Sequence, residues 1–250
     1  MTDSFPKDST DIGTILGVWA HPDDEAYLAG GLMAAAVQAN RRVVCVTATR
    51  GERGFPDDDP RSLDELAALR TGELERCLAE LGVTEHSWLG LPDGACDSVG
   101  DDEMAASLAA LIDDVRPDTV LTFGPDGMTG HIDHIAVGRW TWLAVARCEH
   151  EPRLLFATKT PEWNSRMLGV IDADQVMIGD AELPSTPGDQ LALWTVLDED
   201  LAAVKVRALR CQASQVDALI EQGGIEAFDA LIREEFFRAP TTQDFSDVRR

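Results

Sequence analysis

Basic charge is what this chain most lacks: 21 lysines and arginines stand against 45 aspartates and glutamates, a formal net charge of -24. A surface of that sign repels nucleic-acid phosphates and anionic lipid headgroups, so neither nucleic acid nor a membrane surface is an expected partner. Cysteine is sparse as well. Cys45, Cys77, Cys96, Cys148 and Cys211 are scattered, odd in number and never form a CxxC pair. That spacing speaks against a disulfide framework or a cysteine zinc site and suits reduced, buried thiols in a cytoplasm. No apolar run approaches the roughly 20 residues that span a bilayer. The acidic MTDSFPKDSTDIG at the start lacks the basic-then-apolar pattern of a secretory signal. Two enzyme signatures are missing too. There is no GxSxG, and AHPDDE stands after the first expected strand, where a dinucleotide enzyme would carry GxGxxG.

What is there is a globular composition, with 44% apolar residues over 250 positions. One domain over 1–250 is the expected organisation, α/β in class. TILGVWA (14–20) reads as a buried strand, about 24–40 as a helix and RRVVCVTAT (41–49) as a second strand, a βαβ unit with parallel pairing. Ser62 and Glu65 form a capping-box pattern that opens a helix to about Leu81, with Gly82 as its stop. HSWLG reads as a strand, DDEMAASLAALIDDV as a helix, TVLTF (119–123) as a strand, and IAVGRWTWLAVARC as a helix after the loop GPDGMTGHIDH. Past residue 150 the alternation loosens. LLFAT (154–158) and LALWTVL (191–197) suit strands, Asp198 can cap a helix through LAAVKVRALRCQ, and AFDALIREEFF reads as a last helix.

Ligands of open parallel sheets sit outside the carboxyl ends of the strands. Two loops there are rich in chemistry, AHPDDE after the first strand and TGHIDH after the fourth, and they hold three of the five histidines, His21, His131 and His134. Asp23 or Asp24 could do no more than cap the following helix. Pro22 biases His21 toward an extended backbone, and His131 and His134, three apart, share one side of a turn or helix. Imidazoles and carboxylates converging with an open position form a catalytic metal pattern. Spacing alone leaves open which of His21, Asp23, Asp24, His131, Asp133 and His134 would be ligands.

With its paired motifs Ala20-His21-Pro22-Asp23-Asp24-Glu25 and Gly130-His131-Ile132-Asp133-His134, the chain resembles the LmbE-like, or PIG-L, family of zinc deacetylases. The resemblance spans about 12–150, includes TRGERG, the RTGE at 70–73 and LPDG, and treats 151–250 as the completion of the same domain. It implies a three-layer Rossmann-like fold with a mostly parallel sheet flanked by helices. It implies His21, Asp24 and His134 as ligands of Zn2+, a set that would also accept Fe2+ or Co2+. Asp23 matches the general base and His131 an imidazolium that stabilises the oxyanion. Asp133 matches the carboxylate that orients His131 and keeps it charged. Arg70 and Asp93 match positions that contact substrate hydroxyls, and Glu52 lies where another such contact occurs. From residues alone, Arg70 reads equally well as an exposed helix arginine paired with Glu73 or Glu75, and Asp93 as a turn residue. Some sugar deacetylases of the family carry a tyrosine two positions before the first histidine of the second motif, where this chain has Thr129; its only tyrosine is Tyr27. The implied activity is metal-dependent removal of an acyl group, acetyl foremost, from the nitrogen of a small amino-sugar derivative. An amidase on a thiol-sugar conjugate or longer N-acyl substrate, and a non-catalytic binding protein, are the alternatives. A homo-oligomer is compatible with each.

Overall fold

A computed structural model describes residues 12–167, 177–178 and 182–246. Seven strands among them form one sheet: β1 (Ile15–Trp19), β2 (Val43–Thr49), β3 (Glu85–Leu91), β4 (Thr119–Phe123), β5 (Arg153–Thr158), β6 (Leu191–Val196) and β7 (Glu234–Arg238). Their order is β3-β2-β1-β4-β5-β7-β6. The first five run parallel, and β7 lies antiparallel between β5 and β6. β1, β2 and β4 are buried along their whole length, as short β-branched and apolar runs covered on both faces should be.

The helices are α1 (Asp24–Gln38), α2 (Leu63–Leu81), α3 (Asp101–Val115), the single turn α4 (Gly127–Gly130), α5 (Ile132–Val145), α6 (Pro161–Met167), α7 (Glu199–Arg210), α8 (Ala213–Gly223) and α9 (Ile225–Ile232). α1, α2 and α7 pack together, and α3 packs on α5. The expected punctuation is present. Ser62 and Glu65 close a capping box, Gly82 ends α2 in the left-handed region at φ 76, and the Asp198 side chain accepts from the Leu201 N–H. No described helix is long and apolar enough to cross a membrane.

The second half departs from expectation in two ways. AFDALIREEFF is not one helix: it breaks after Ile232, and 234–238 becomes an interior strand. Phe236 and Phe237 point to opposite sheet faces and are both buried, and a short apolar run satisfies helix and strand patterns alike. Glu235 then holds the strand in place. Its carboxylate accepts from the Gly31 and Leu32 N–H groups at 2.7 and 2.8 Å and pairs with buried Lys205 at 2.6 Å. The other departure is two unforeseen helices, α6 and α8.

Chain order reverses beside β1, which pairs with β2 on one side and β4 on the other (Ile15↔Val43, Ile15↔Thr119). That switch point brings the loops after β1 and β4 together at one edge. α5 starts at Ile132, three residues earlier than the apolar run suggests, because the His131 ring caps it by accepting from the Asp133 N–H at 3.1 Å. Gly138 lets α5 lie against the end of β4, since a Cβ there would stand 2.6 Å from the Phe123 carbonyl oxygen.

Candidate active site

Three donor groups converge beyond the ends of β1 and β4. His21 Nδ1 and His134 Nε2 face each other at 3.0 Å, with Asp24 Oδ1 3.5 Å from His134 Nε2 and Asp24 Oδ2 3.9 Å from His21 Nδ1. Ligands of a tetrahedral ion with bonds of about 2.0–2.1 Å lie about 3.3 Å apart, close to the 3.0 and 3.5 Å that separate His134 Nε2 from His21 Nδ1 and Asp24 Oδ1. Protonation agrees. His134 Nδ1 donates to the Gly127 carbonyl at 2.9 Å, which leaves a lone pair on Nε2, and burial pushes this imidazole down to about 4. His21 Nε2 donates to Asp133 and Asp93, both at 3.1 Å, so Nδ1 is the nitrogen it would turn to a metal. His21 Nδ1 and His134 Nε2 at 3.0 Å need a positive charge between them, a proton on Nδ1 or a metal ion, and with the Asp24 carboxylate beside them this donor set fits a divalent metal.

Asp133 is where geometry and expectation part. Its side chain does not orient His131. It accepts from His21 Nε2 and from the backbone N–H groups of Gly94 and Cys96 at 2.7 and 2.9 Å. Burial works to raise this carboxyl, but those donors win and hold it well below the usual range. Burial likewise works to lower His21, yet the bonds to Asp133 and Asp93 lift it to about 10. An imidazole that binds a proton so tightly is also a strong metal donor, and the carboxylate behind it sets its tautomer. Asp93, expected at a substrate hydroxyl, spends one oxygen on His21 and the other on the Arg53 N–H at 2.8 Å. Glu52 braces that turn through the Asp93 N–H and does not line the cavity.

Asp23 occupies the cap position of α1, yet its side chain makes no capping bond and its backbone sits at φ 97. A non-glycine residue held there is strained, and such strain gathers at functional positions. The surroundings hold it. Buried Glu25 accepts the Asp23 N–H at 3.1 Å and is itself met by Cys77 and Gln212. Arg70 is buried and does not pair with Glu73, whose carboxylate binds Ser214. It passes over Gly51, where a Cβ would lie 2.0 Å from its Nη1, and donates to the Pro22 carbonyl at 2.5 Å and to Asp23 Oδ2 at 3.1 Å. Burial pushes the Asp23 carboxyl up to about 7, with Arg70 pulling it down.

Arg70→Met should therefore lower kcat more than it raises KM, by roughly tenfold or more, the worth of a charge-assisted hydrogen bond. Without the guanidinium the Asp23 pKa climbs, so the acidic limb of the pH–rate profile should move to higher pH. A limb that stays in place would reduce Arg70 to a support for the Gly51 turn.

His131 is half-buried, edge-on to His21 with ring centres 4.6 Å apart. Burial, then the charge of His21, holds it below the usual histidine value. Its Nδ1 accepts the Asp133 N–H, so Nε2 carries the proton. The ring offers a neutral N–H donor, which replaces the imidazolium expected from sequence.

These groups floor a cavity of about 680 Å3. Its lining also takes Lys159, Trp163, Leu219, Leu231 and Ile232 from the second half of the chain. Sequence reasoning missed all five. Only Lys159 carried a signal, as the first residue beyond the carboxyl end of β5.

Comparisons with known proteins bear on the family and the fold. The family described as PIG-L, GlcNAc-PI de-N-acetylase, matches residues 16–145. The 1D-myo-inositol 2-acetamido-2-deoxy-alpha-D-glucopyranoside deacetylase of Saccharomonospora viridis is 33% identical over 233 residues, covering 81% of this chain and 85% of that protein. Among solved structures, the N,N'-diacetylchitobiose deacetylase from Pyrococcus horikoshii matches with a TM-score of 0.64 at 22% identity, over 92% of this chain and 85% of that one. The 4-carboxy-2-hydroxymuconate hydratase from Pseudomonas putida reaches the same TM-score at 19% identity, over 92% and 96%. At such identities the structural likeness speaks for the fold, and a hydratase that shares it shows that the fold does not choose the reaction. The family model, matched over more than half of the chain, and the sequence identity go further: the chain belongs to the PIG-L family of de-N-acetylases.

Proposed function

We propose that this family member hydrolyses the acetamide of a small N-acetylglucosamine conjugate, with inositol as the conjugated group, using one Zn2+ held by His21, Asp24 and His134. The observation that carries the reading is the convergence of His21 Nδ1, His134 Nε2 and the Asp24 carboxylate beside a carboxyl, Asp23, that none of their bonds requires. The inositol comes from the relative in Saccharomonospora viridis, whose name specifies that glycoside. A divalent cation in this position supplies Lewis acidity toward a carbonyl and lowers the pKa of water.

The chain's own residues supply the rest. Asp23 Oδ2 is engaged by Arg70, so Oδ1 is the oxygen that takes the proton of the attacking water. His131 Nε2–H donates to the oxyanion that develops on the carbonyl oxygen. The proton held by Asp23 can then pass to the departing amine. Asp133 and Asp93 keep the His21 ring oriented, and Glu25 and Arg70 keep Asp23 in its strained position.

The direct test is acetate release from 1D-myo-inositol 2-acetamido-2-deoxy-α-D-glucopyranoside. Protein loaded with Zn2+ should release acetate and free amine in equal amounts, and chelator-stripped protein should not. No acetate with Zn2+, Fe2+ or Co2+ overturns the reading.

A further inference from the structure

Four residues that line the cavity take no part in this chemistry: Lys159, just past β5, Trp163 of α6, and Leu231 and Ile232 of α9. The Lys159 Nζ stands 4.3 Å from the centre of the Trp163 ring and 5.7 Å from a Phe236 ring, so two aromatic faces hold the cation. The acids nearby are already taken. Glu235 is closed on Lys205 and on two backbone N–H groups of α1, while Glu234 binds Arg166 and the Trp194 indole. Three cations thus share two carboxylates, and of the three Lys159 is the one with no ion pair among the described residues. Burial, then Lys205, pushes its ammonium down to about 7, against the pull of Glu235 and Glu234.

A surplus cation facing a largely apolar cavity gains from an anion that enters, because a charge pair out of water is stronger than one in it. The surrounding Trp163, Leu231 and Ile232 offer apolar surface to whatever carries that anion. The acetyl group is far too small to fill about 680 Å3, so most of the cavity is left for the rest of the substrate.

We propose that Lys159 and Trp163 form a recognition subsite for a single anionic group, carboxylate or phosphate, attached beyond the N-acetylglucosamine ring as a substituent of the conjugated group. The subsite rests on the de-N-acetylase reading above and adds to it a selectivity that neither the metal ligands nor Asp23 would supply.

The test compares phenyl, 4-carboxyphenyl and 4-phosphoryloxyphenyl N-acetylglucosaminides on zinc-loaded wild type, Lys159→Met and Lys159→Arg. The quantity read is kcat/KM for an anionic glycoside over that for the neutral one. In Lys159→Met this ratio should fall roughly 10–100-fold, mostly through KM, as for loss of one partner of a desolvated charge pair. Lys159→Arg should recover most of it, and the two anionic arms tell carboxylate from phosphate. A ratio unchanged within about twofold in Lys159→Met overturns the subsite. If wild type hydrolysed none of the three, the de-N-acetylase reading would fall, and calorimetric Kd values for the same glycosides would still decide Lys159. A ratio of affinities that drops in Lys159→Met supports the subsite, and one that does not drop overturns it.

Discussion

His134→Ala and Asp24→Ala should each leave the purified protein without stoichiometric zinc after dialysis, while His131→Ala keeps most of it. The comparison discriminates because His131 is a real competitor: one nitrogen from each of His21, His131 and His134 lies within 4.8 Å of the others. Hydrogen bonding separates them. His131 Nδ1 is occupied by the Asp133 N–H and its Nε2 carries a proton, so the ring has no lone pair to offer. The Asp24 carboxylate, by contrast, is held in place by the Ala20 and His21 N–H groups at 3.2 and 2.8 Å. Asp133→Asn should sit between these extremes and lower metal affinity by roughly 10–100-fold, the usual cost of removing a partner behind a ligand histidine. Metal content and competition with a chelator read all four variants. If His131→Ala emptied the protein as fully as His134→Ala, the three-histidine set would replace the one proposed here.

Why the convergence of His21, Asp24 and His134, the ligands proposed above, could be anticipated and the contacts around it could not is a matter of range. His21 and Asp24 lie on one turn and His134 on the first turn of α5, each next to a strand whose apolar run announces it. Their convergence follows from β1 and β4 being neighbours at the switch point. Asp133 reaches His21 only because the 94–96 segment folds back to offer it two N–H groups, and no local spacing encodes that contact. Arg70 looks like any helix-surface arginine until Gly51 and Pro22 turn their carbonyls toward it.

The same reasoning separates the two halves of the chain. Up to residue 150, strands alternate with helices, and signals such as Ser62–Glu65 and Gly82 are local and chemical. Beyond it the helices carry apolar residues for two purposes. Leu209 fills the core, whereas Leu219 and Leu231 line the cavity, and hydropathy scores them alike. The 234–238 strand was hidden for a related reason: Glu235 is charged but fully buried, so the residue that most firmly fixes β7 looks like a surface position.

Asp23→Asn should keep its metal and its fold while kcat falls by roughly 10²–10⁴, the range expected for a positioned acid–base group. Asparagine is the informative substitution because it is nearly isosteric and, like aspartate, tolerates positive φ, so the backbone at φ 97 need not relax. Alanine there would mix lost chemistry with released strain. The amide oxygen can still accept from Arg70, as Asp23 Oδ2 does now, but the group cannot take up a proton at the position of Oδ1. The loss should therefore appear in kcat, with KM moved much less, since the substrate's hydroxyls and acetamide would meet an almost unchanged surface. Zinc content and Tm equal to wild type, measured beside the rate, tie the loss to proton transfer. Wild-type turnover in this variant would take Asp23 out of the reaction and make its strain, its burial and its contact with Arg70 features of the fold alone.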